Sequence, residues 1–275
     1  MSPWRGSAES WETGTGLAGF HWPAPQARAA VLLQHGLSEY SERYVDQYHA
    51  LIPHLQEQGY HVYAFDLEGH GRSSGVRGAT DVETSVRHHL AARERLSSLG
   101  LPLFLMGHSL GGLVTATSVL ERPVGIAGVI LSSPALLVEA GAIRKTLARW
   151  LSRVFPHCPV GHLDPSGLSR LPEKVEASLQ DPLKFHGALK ARMAASILRV
   201  SEANWRRYGE WNVPVLVVHG TADRYTSVEG SRRFIDAVKL ADKTLLIEEG
   251  GYHELLNDLG ADRVLAQLLG WLSRH

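Results

Sequence analysis

Leu103-Phe104-Leu105-Met106-Gly107-His108-Ser109-Leu110-Gly111-Gly112 carries an apolar strand-like run straight into the start of a helical pattern, and its centre, 107–111, reads G-x-S-x-G. Chemistry at a serine needs that context. Small residues on either side allow a sharp, strained strand-to-helix turn that lifts the Ser109 hydroxyl above the sheet edge. The helix beginning near Leu110 adds a field that favours negative charge at its N-terminus.

Outward from this turn, short apolar or β-branched runs alternate with longer helical patterns, the mark of an α/β fold in which a mostly parallel sheet carries helices on both faces. Strands are expected at Ala29 to Gln34, Tyr60 to Phe65, Leu103 to Met106, Ile126 to Leu131, Val213 to His219 and Thr244 to Glu248. Helices are expected at Ser41 to Gln58, Asp81 to Ser98, Leu110 to Glu121, Ser227 to Lys239 and Ala261 to Leu272. Thr13 to Trp22 would open the sheet as an antiparallel partner of Ala29 to Gln34. The alternation stops after Ser133-Pro134 and resumes at Val213-Pro214. The stretch between holds Pro156, Pro159, Pro165, Pro172 and Pro182 and no convincing strand. A connection that long is uncommon without structure of its own, so the spacing predicts a helical cap over 135–212, inserted into a body made of 1–134 and 213–275.

A serine hydroxyl is a weak nucleophile near neutral pH. It needs a base to take its proton and a carboxylate to hold that base in the right tautomer. On such a sheet the acid precedes the histidine in the chain. Asp223, in Gly220-Thr221-Ala222-Asp223-Arg224, follows one predicted strand, and His253, in Gly250-Gly251-Tyr252-His253, follows the next. Both lie just past strand C-terminal ends, where open α/β sheets place their sites. The developing oxyanion needs two preorganised donors. The N–H of Leu110 supplies one, and His35-Gly36-Leu37, closing an early strand, offers the N–H of Leu37 as the other.

Five blocks of sequence extend the pattern. They are His35-Gly36-Leu37-Ser38-Glu39-Tyr40-Ser41-Glu42-Arg43-Tyr44, Asp66-Leu67-Glu68-Gly69-His70-Gly71-Arg72-Ser73, Gly107-His108-Ser109-Leu110-Gly111-Gly112, Gly220-Thr221-Ala222-Asp223 and Tyr252-His253. The chain thereby resembles the serine α/β-hydrolases of the monoacylglycerol lipase and lysophospholipase-like family. It departs at Tyr40, where the family often has histidine, and 135–212 matches no family block. The resemblance implies an α/β-hydrolase fold with a helical cap and cofactor-free cleavage of a fatty acyl monoester through an acyl-enzyme. Lysophospholipids and short-chain carboxylic esters are the alternatives to monoacylglycerols, and a catalytically silent binding protein is the rival outside enzymes. It also places Glu39 and Arg43 near the oxyanion loop, either to orient the polar end of a substrate or to fix that loop as a buried ion pair.

Composition narrows the classes further. With 28 Lys+Arg against 28 Asp+Glu in 275 residues, no basic stripe is available to neutralise phosphates, and nucleic acid is set aside. One cysteine, Cys158, makes no internal disulfide, no apolar run reaches the length of a membrane span, and the first twelve residues lack a signal-peptide pattern, so a cytoplasmic location is expected. Of 15 histidines, most, including His88 and His89, are read as solvated. Gly14-Thr15-Gly16-Leu17-Ala18-Gly19 spells G-x-G-x-x-G but neither follows a strand nor opens a helix, and a turn with no NAD or flavin is expected. His253-Glu254-Leu255-Leu256-Asn257 lacks the second histidine of a zinc-protease helix, and His157, Cys158 and His162 lack a clear fourth ligand, so no metal is expected. Asp66 and Gly69-His70-Gly71 read as a glycine-permitted turn. Within the cap, Leu147, Trp150, Leu151 and Val154 form an apolar stripe beside Arg144, Lys145, Arg149 and Arg153. Such a helix either packs on the body or rests transiently on a membrane or micelle surface.

Overall fold

The computed structural model describes residues 8–138 and 150–275. Eight strands form one sheet in the order β1-β2-β4-β3-β5-β6-β9-β10. They are β1 (Glu9–Ser10), β2 (Gly19–Trp22), β3 (Ala29–Gln34), β4 (Tyr60–Phe65), β5 (Leu103–His108), β6 (Gly128–Ser132), β9 (Val215–Gly220) and β10 (Lys243–Glu248). From β4 to β10 every pairing is parallel, while β2 runs antiparallel to β4 and β1 antiparallel to β2. The opening strand therefore pairs with β4 and not, as the sequence suggested, with β3. Both edges of β3 are already taken by β4 and β5, leaving β2 the free edge of β4.

Alternate side chains of these strands face opposite layers. Ala30, Leu32, Leu105, Val129, Leu131 and Val217 point into one apolar cluster, while Val31, Leu33, Phe104, Met106, Ile130 and Val218 point into the other. The first cluster is covered by α3 (Val82–Leu96), α4 (Leu110–Glu121), α6 (Ala191–Asn204) and α7 (Val228–Ala237). The second is covered by α2 (Leu51–Glu57) and α8 (Ala261–Leu272). Both faces of the sheet are thus sealed, as nearly continuous apolar strands require.

The helix expected over Ser41 to Gln58 is broken. A short α1 (Arg43–Asp46) gives way to a 3-10 turn at Tyr48–Ala50, where three consecutive residues have positive φ, and α2 begins only at Leu51. Pro53 sits in the first turn of α2, where a missing N–H leaves no ladder bond unmade. Between β6 and β9 the described residues hold one helical turn at 150–154, α5 (Pro172–Gln180), α6, and a small antiparallel pair, β7 (Pro159–Gly161) with β8 (Leu189–Lys190). That pair is strand structure the sequence did not signal, because Pro159 and Gly161 disguise it. The N-terminal part of the basic amphipathic stripe, including Arg144, Lys145, Leu147 and Arg149, lies outside the described residues. Gly14-Thr15-Gly16 is a turn before β2, both glycines having positive φ. His89 is fully buried on α3, its Nδ1 2.9 Å from the Ser118 hydroxyl, and His88 is half-buried. The expectation of solvated side chains fails there because position 89 falls on the same helical stripe as Val82, Val86 and Leu96.

Candidate active site

Ser109 ends the β5-to-α4 turn with φ 54° and ψ −118°, a conformation that L-residues rarely adopt and that a close-packed frame must enforce. The flanking glycines show what enforces it. A Cβ on Gly111 would lie 2.2 Å from the Gln34 carbonyl oxygen, and one on Gly107 would lie 2.4 Å from that of Gly111, so the turn packs against β3 with no room for side chains. The Ser109 N–H donates to the Ser132 carbonyl at 3.0 Å and its own carbonyl accepts from the Ala135 N–H at 3.0 Å, pinning the turn between β5 and the end of β6. Leu110 is the first residue of α4, so its N–H has no carbonyl four residues back within the helix. Leu37 sits in the loop after β3, beside Ser38 at φ 66°. Leu37, Ser109, Leu110 and His253 all line one cavity of about 400 Å³.

His253, in the loop after β10, is buried, and its Nδ1 donates to Asp223 Oδ2 at 2.7 Å. With Nδ1 committed to a carboxylate, Nε2 is the nitrogen left to act as base. The His253 carbonyl is held in turn by the Ser133 hydroxyl at 2.8 Å. Asp223 lies in the loop after β9 and is fixed through both oxygens. Oδ1 accepts from the N–H groups of Tyr225 (2.8 Å) and Thr226 (3.0 Å), and Oδ2 accepts from the Thr226 hydroxyl (2.7 Å) as well as from His253. His219 Nε2 stands 3.3 Å from the same Oδ2. Burial alone would raise this carboxyl, but His253 and His219 beside it hold it well below the usual carboxylate range. His219 gave no signal in the sequence, lying inside an apolar strand.

A second buried polar group supports the loop after β3 that carries Leu37. Glu39 Oε1 accepts from the Gly36 N–H at 2.7 Å and the Tyr44 hydroxyl at 3.1 Å, and Oε2 accepts from Arg43 Nη1 at 2.9 Å and the Tyr48 hydroxyl at 2.7 Å. Arg43 Nη1 also donates to Glu254 Oε1 at 3.2 Å. Of the two roles left open for Glu39 and Arg43, the buried ion pair that fixes the loop is the one seen. Glu254, adjacent to His253, is a partner that the sequence did not signal. His108 packs against His253 with ring centroids 4.8 Å apart, and burial together with His253 lowers its pKa to about 4, so it is neutral near pH 7. Asp66 behaves as the anchor of a turn: Oδ1 accepts from the Ser41 N–H and Oδ2 from the Arg72 N–H, each at 2.8 Å.

Residues 25–260 match the family described as serine aminopeptidase, S33. The monoacylglycerol lipase of Mycolicibacterium smegmatis is 33% identical over 263 residues, covering 92% of this chain and 91% of the relative. Human monoglyceride lipase is 33% identical over 264 residues, covering 93% and 86%. Among solved structures, the monoacylglycerol lipase of Paleococcus ferrophilus superimposes with a TM-score of 0.84 at 36% identity, covering 94% of this chain and 99% of that one. A strained serine after β5, a histidine bonded to a carboxylate, and these relatives along nearly the whole chain agree, and the chain belongs to the serine α/β-hydrolase family that holds the monoacylglycerol lipases.

Proposed function

We propose that this protein is a cofactor-free serine hydrolase that cleaves monoacylglycerols to fatty acid and glycerol through an acyl-enzyme. The observation that carries the reading is the 2.7 Å bond from His253 Nδ1 to Asp223, with His253 lining the same cavity as the strained Ser109. Ser109 Oγ attacks the ester carbonyl as His253 Nε2 takes its proton. Asp223 stabilises the imidazolium, and the N–H groups of Leu37 and Leu110 receive the oxyanion. His253 then protonates the leaving glycerol, and water repeats the sequence on the acyl-enzyme. Leu163, Leu168, Leu179, Ile197 and Leu198 give the cavity an apolar wall suited to an acyl chain.

The residues we assign to the cap, 135–212, supply most of that wall, and the body, 1–134 and 213–275, supplies the chemistry. Trp150 (54% exposed), Val154 and Phe155 (56% exposed) present an open apolar face on the cap, which we read as a transient contact with membrane or micelle surfaces. No helix among the described residues is long and apolar enough to cross a membrane.

The test is Ser109→Ala. Release of fatty acid from a monoacylglycerol is expected to fall by about 10⁴-fold or more with the fold intact by circular dichroism. Turnover retained in that variant would remove Ser109 from the mechanism.

A further inference from the structure

The cavity holds a lysine that the acyl-transfer chemistry does not use. Lys184 belongs to the loop 181–187 that follows α5, and this loop is bonded directly to the oxyanion side of the body. The Tyr40 hydroxyl donates to Asp181 Oδ2 at 2.9 Å, Arg77 Nη2 donates to the Leu183 carbonyl at 2.6 Å, and the Phe185 N–H donates to the Ser38 carbonyl at 3.1 Å. Lys184 is thereby set over the loop that carries Leu37, and it lines the same cavity as Ser109 and His253.

Its ammonium is under-used there. Nζ donates to the buried Ser178 hydroxyl at 2.5 Å, and among the described residues it forms no ion pair. The carboxylates whose charge reaches it are Glu254, Glu39 and Asp181, and all three are committed elsewhere. Glu39 is filled by Gly36, Arg43, Tyr44 and Tyr48, Glu254 by Arg43 and Asn257, and Asp181 by Tyr40 and the Leu183 N–H. An ammonium has three donors. A charged group held in a largely apolar cavity with one hydroxyl partner favours a ligand oxygen that can accept the remaining bonds.

Charge decides which oxygen. The charges that reach Lys184 are Glu254, Glu39 and Asp181 against Arg43, with His108 neutral, so around its ammonium carboxylates outnumber cations and there is already an excess of negative charge. A phosphate would add to that excess, whereas a hydroxyl accepts from Nζ without adding charge. We propose that Lys184 is a specificity-determining residue that holds the free hydroxyls of an uncharged polyol monoester, and that the site discriminates against monoacyl esters whose head group carries a phosphate. This rests on the monoacylglycerol reading above and names the feature that sets its head-group preference.

The experiment compares kcat/KM for a monoacylglycerol, for its phosphate-bearing counterpart, and for a p-nitrophenyl ester of the same acyl chain, which has no hydroxyls to hold. In Lys184→Met the monoacylglycerol to p-nitrophenyl ratio is expected to fall about 10- to 100-fold, the worth of a charge-assisted hydrogen bond. Lys184→Arg, which keeps charge and donors, is expected to retain most of the ratio. An unchanged ratio in Lys184→Met overturns the inference, whether both rates drop together, as a purely structural lysine would make them, or neither does. Wild-type turnover of the phosphate-bearing ester as fast as the neutral one also overturns it. Wild-type protein that cleaves the p-nitrophenyl ester but no monoacylglycerol refutes the reading beneath, and that result is visible before any variant is made.

Discussion

Asp223 shows how a single carboxylate is kept in one state and one direction. Its Oδ1 accepts from two backbone N–H groups of its own loop and its Oδ2 from the Thr226 hydroxyl and from His253, so it stays ionised and aimed at His253 at any pH near neutrality. Asp223→Asn keeps the shape but presents an amide that is satisfied equally well by the wrong histidine tautomer. The expected loss in kcat is about 10⁴-fold, with KM changed far less, measured on a soluble ester under saturating substrate. A kcat within tenfold of the wild type would place the stabilising charge elsewhere. The placement of Ser109, Asp223 and His253 just past strand ends was legible in the sequence because order and position after strands are properties of the chain alone. Lys184, Glu254 and His219 were not. Their contacts depend on which side chains lie across the cavity or behind the loop, and no local spacing encodes that.

Among the elements, α3 is the clearest case of a sequence signal joined to a long-range contact. Asp81 caps it, accepting from the Thr84 N–H at 2.7 Å, and the same carboxylate accepts from Arg192 Nε at 2.8 Å at the start of α6. Burial works against the ionised form, but the Thr84 N–H and Arg192 outweigh it, and the pKa lies below the ordinary value. The folded pKa is thus depressed relative to the unfolded chain. The stabilisation is complete above the ordinary aspartate value of about 4 and is lost as pH falls through the folded value. Asp81→Ala is expected to lower stability by about 1–2 kcal/mol at pH 7, read from urea unfolding, and the difference from wild type should shrink as the pH is taken below about 4. A difference that grows in acid would contradict the assignment. The positions of β3 to β6, β9 and β10 were readable from apolar runs bounded by turns. The pairing of β2 was not, since alternation tells which face a residue takes and not which neighbour its strand meets. The break between α1 and α2 had a visible mark in Pro53, but the three left-handed residues before it depend on tertiary support, including the Tyr48 N–H bond to Asn257 Oδ1 at 2.6 Å.

For the molecule as a whole, the sheet gathers at one edge the residues to which we assign the chemistry. Leu37, Ser109, Asp223 and His253 follow β3, β5, β9 and β10 respectively, and parallel pairing brings those four C-terminal ends together. Zero formal net charge gives no general attraction to an anionic surface, and among the described residues the open apolar face at Trp150 and Phe155 is the one we assign to lipid contact. Trp150→Ser with Phe155→Ser is expected to reduce co-sedimentation with neutral phosphatidylcholine vesicles several-fold while leaving hydrolysis of a soluble p-nitrophenyl ester near the wild-type rate. Each exposed aromatic removed takes away an amount of apolar burial equivalent to about 1–3 kcal/mol. Equal sedimentation of both proteins would assign that face to something other than lipid.

The register between β6 and β9 has one more consequence. Val129 to Ser132 align with Val215 to Val218 although all of 133–214 lies between them in the chain. Bringing two strands together across a long excursion carries a closure entropy that grows only with the logarithm of its length, about 0.6 kcal/mol for each doubling. The excursion can therefore lengthen, shorten or change its lining with little effect on the thermodynamics of the sheet beneath, provided α6 keeps its seat against α3 and α4. Divergence in what the cavity accepts is cheap by this route, and a chain of this design can explore new acyl and head groups while its reacting atoms stay where they are.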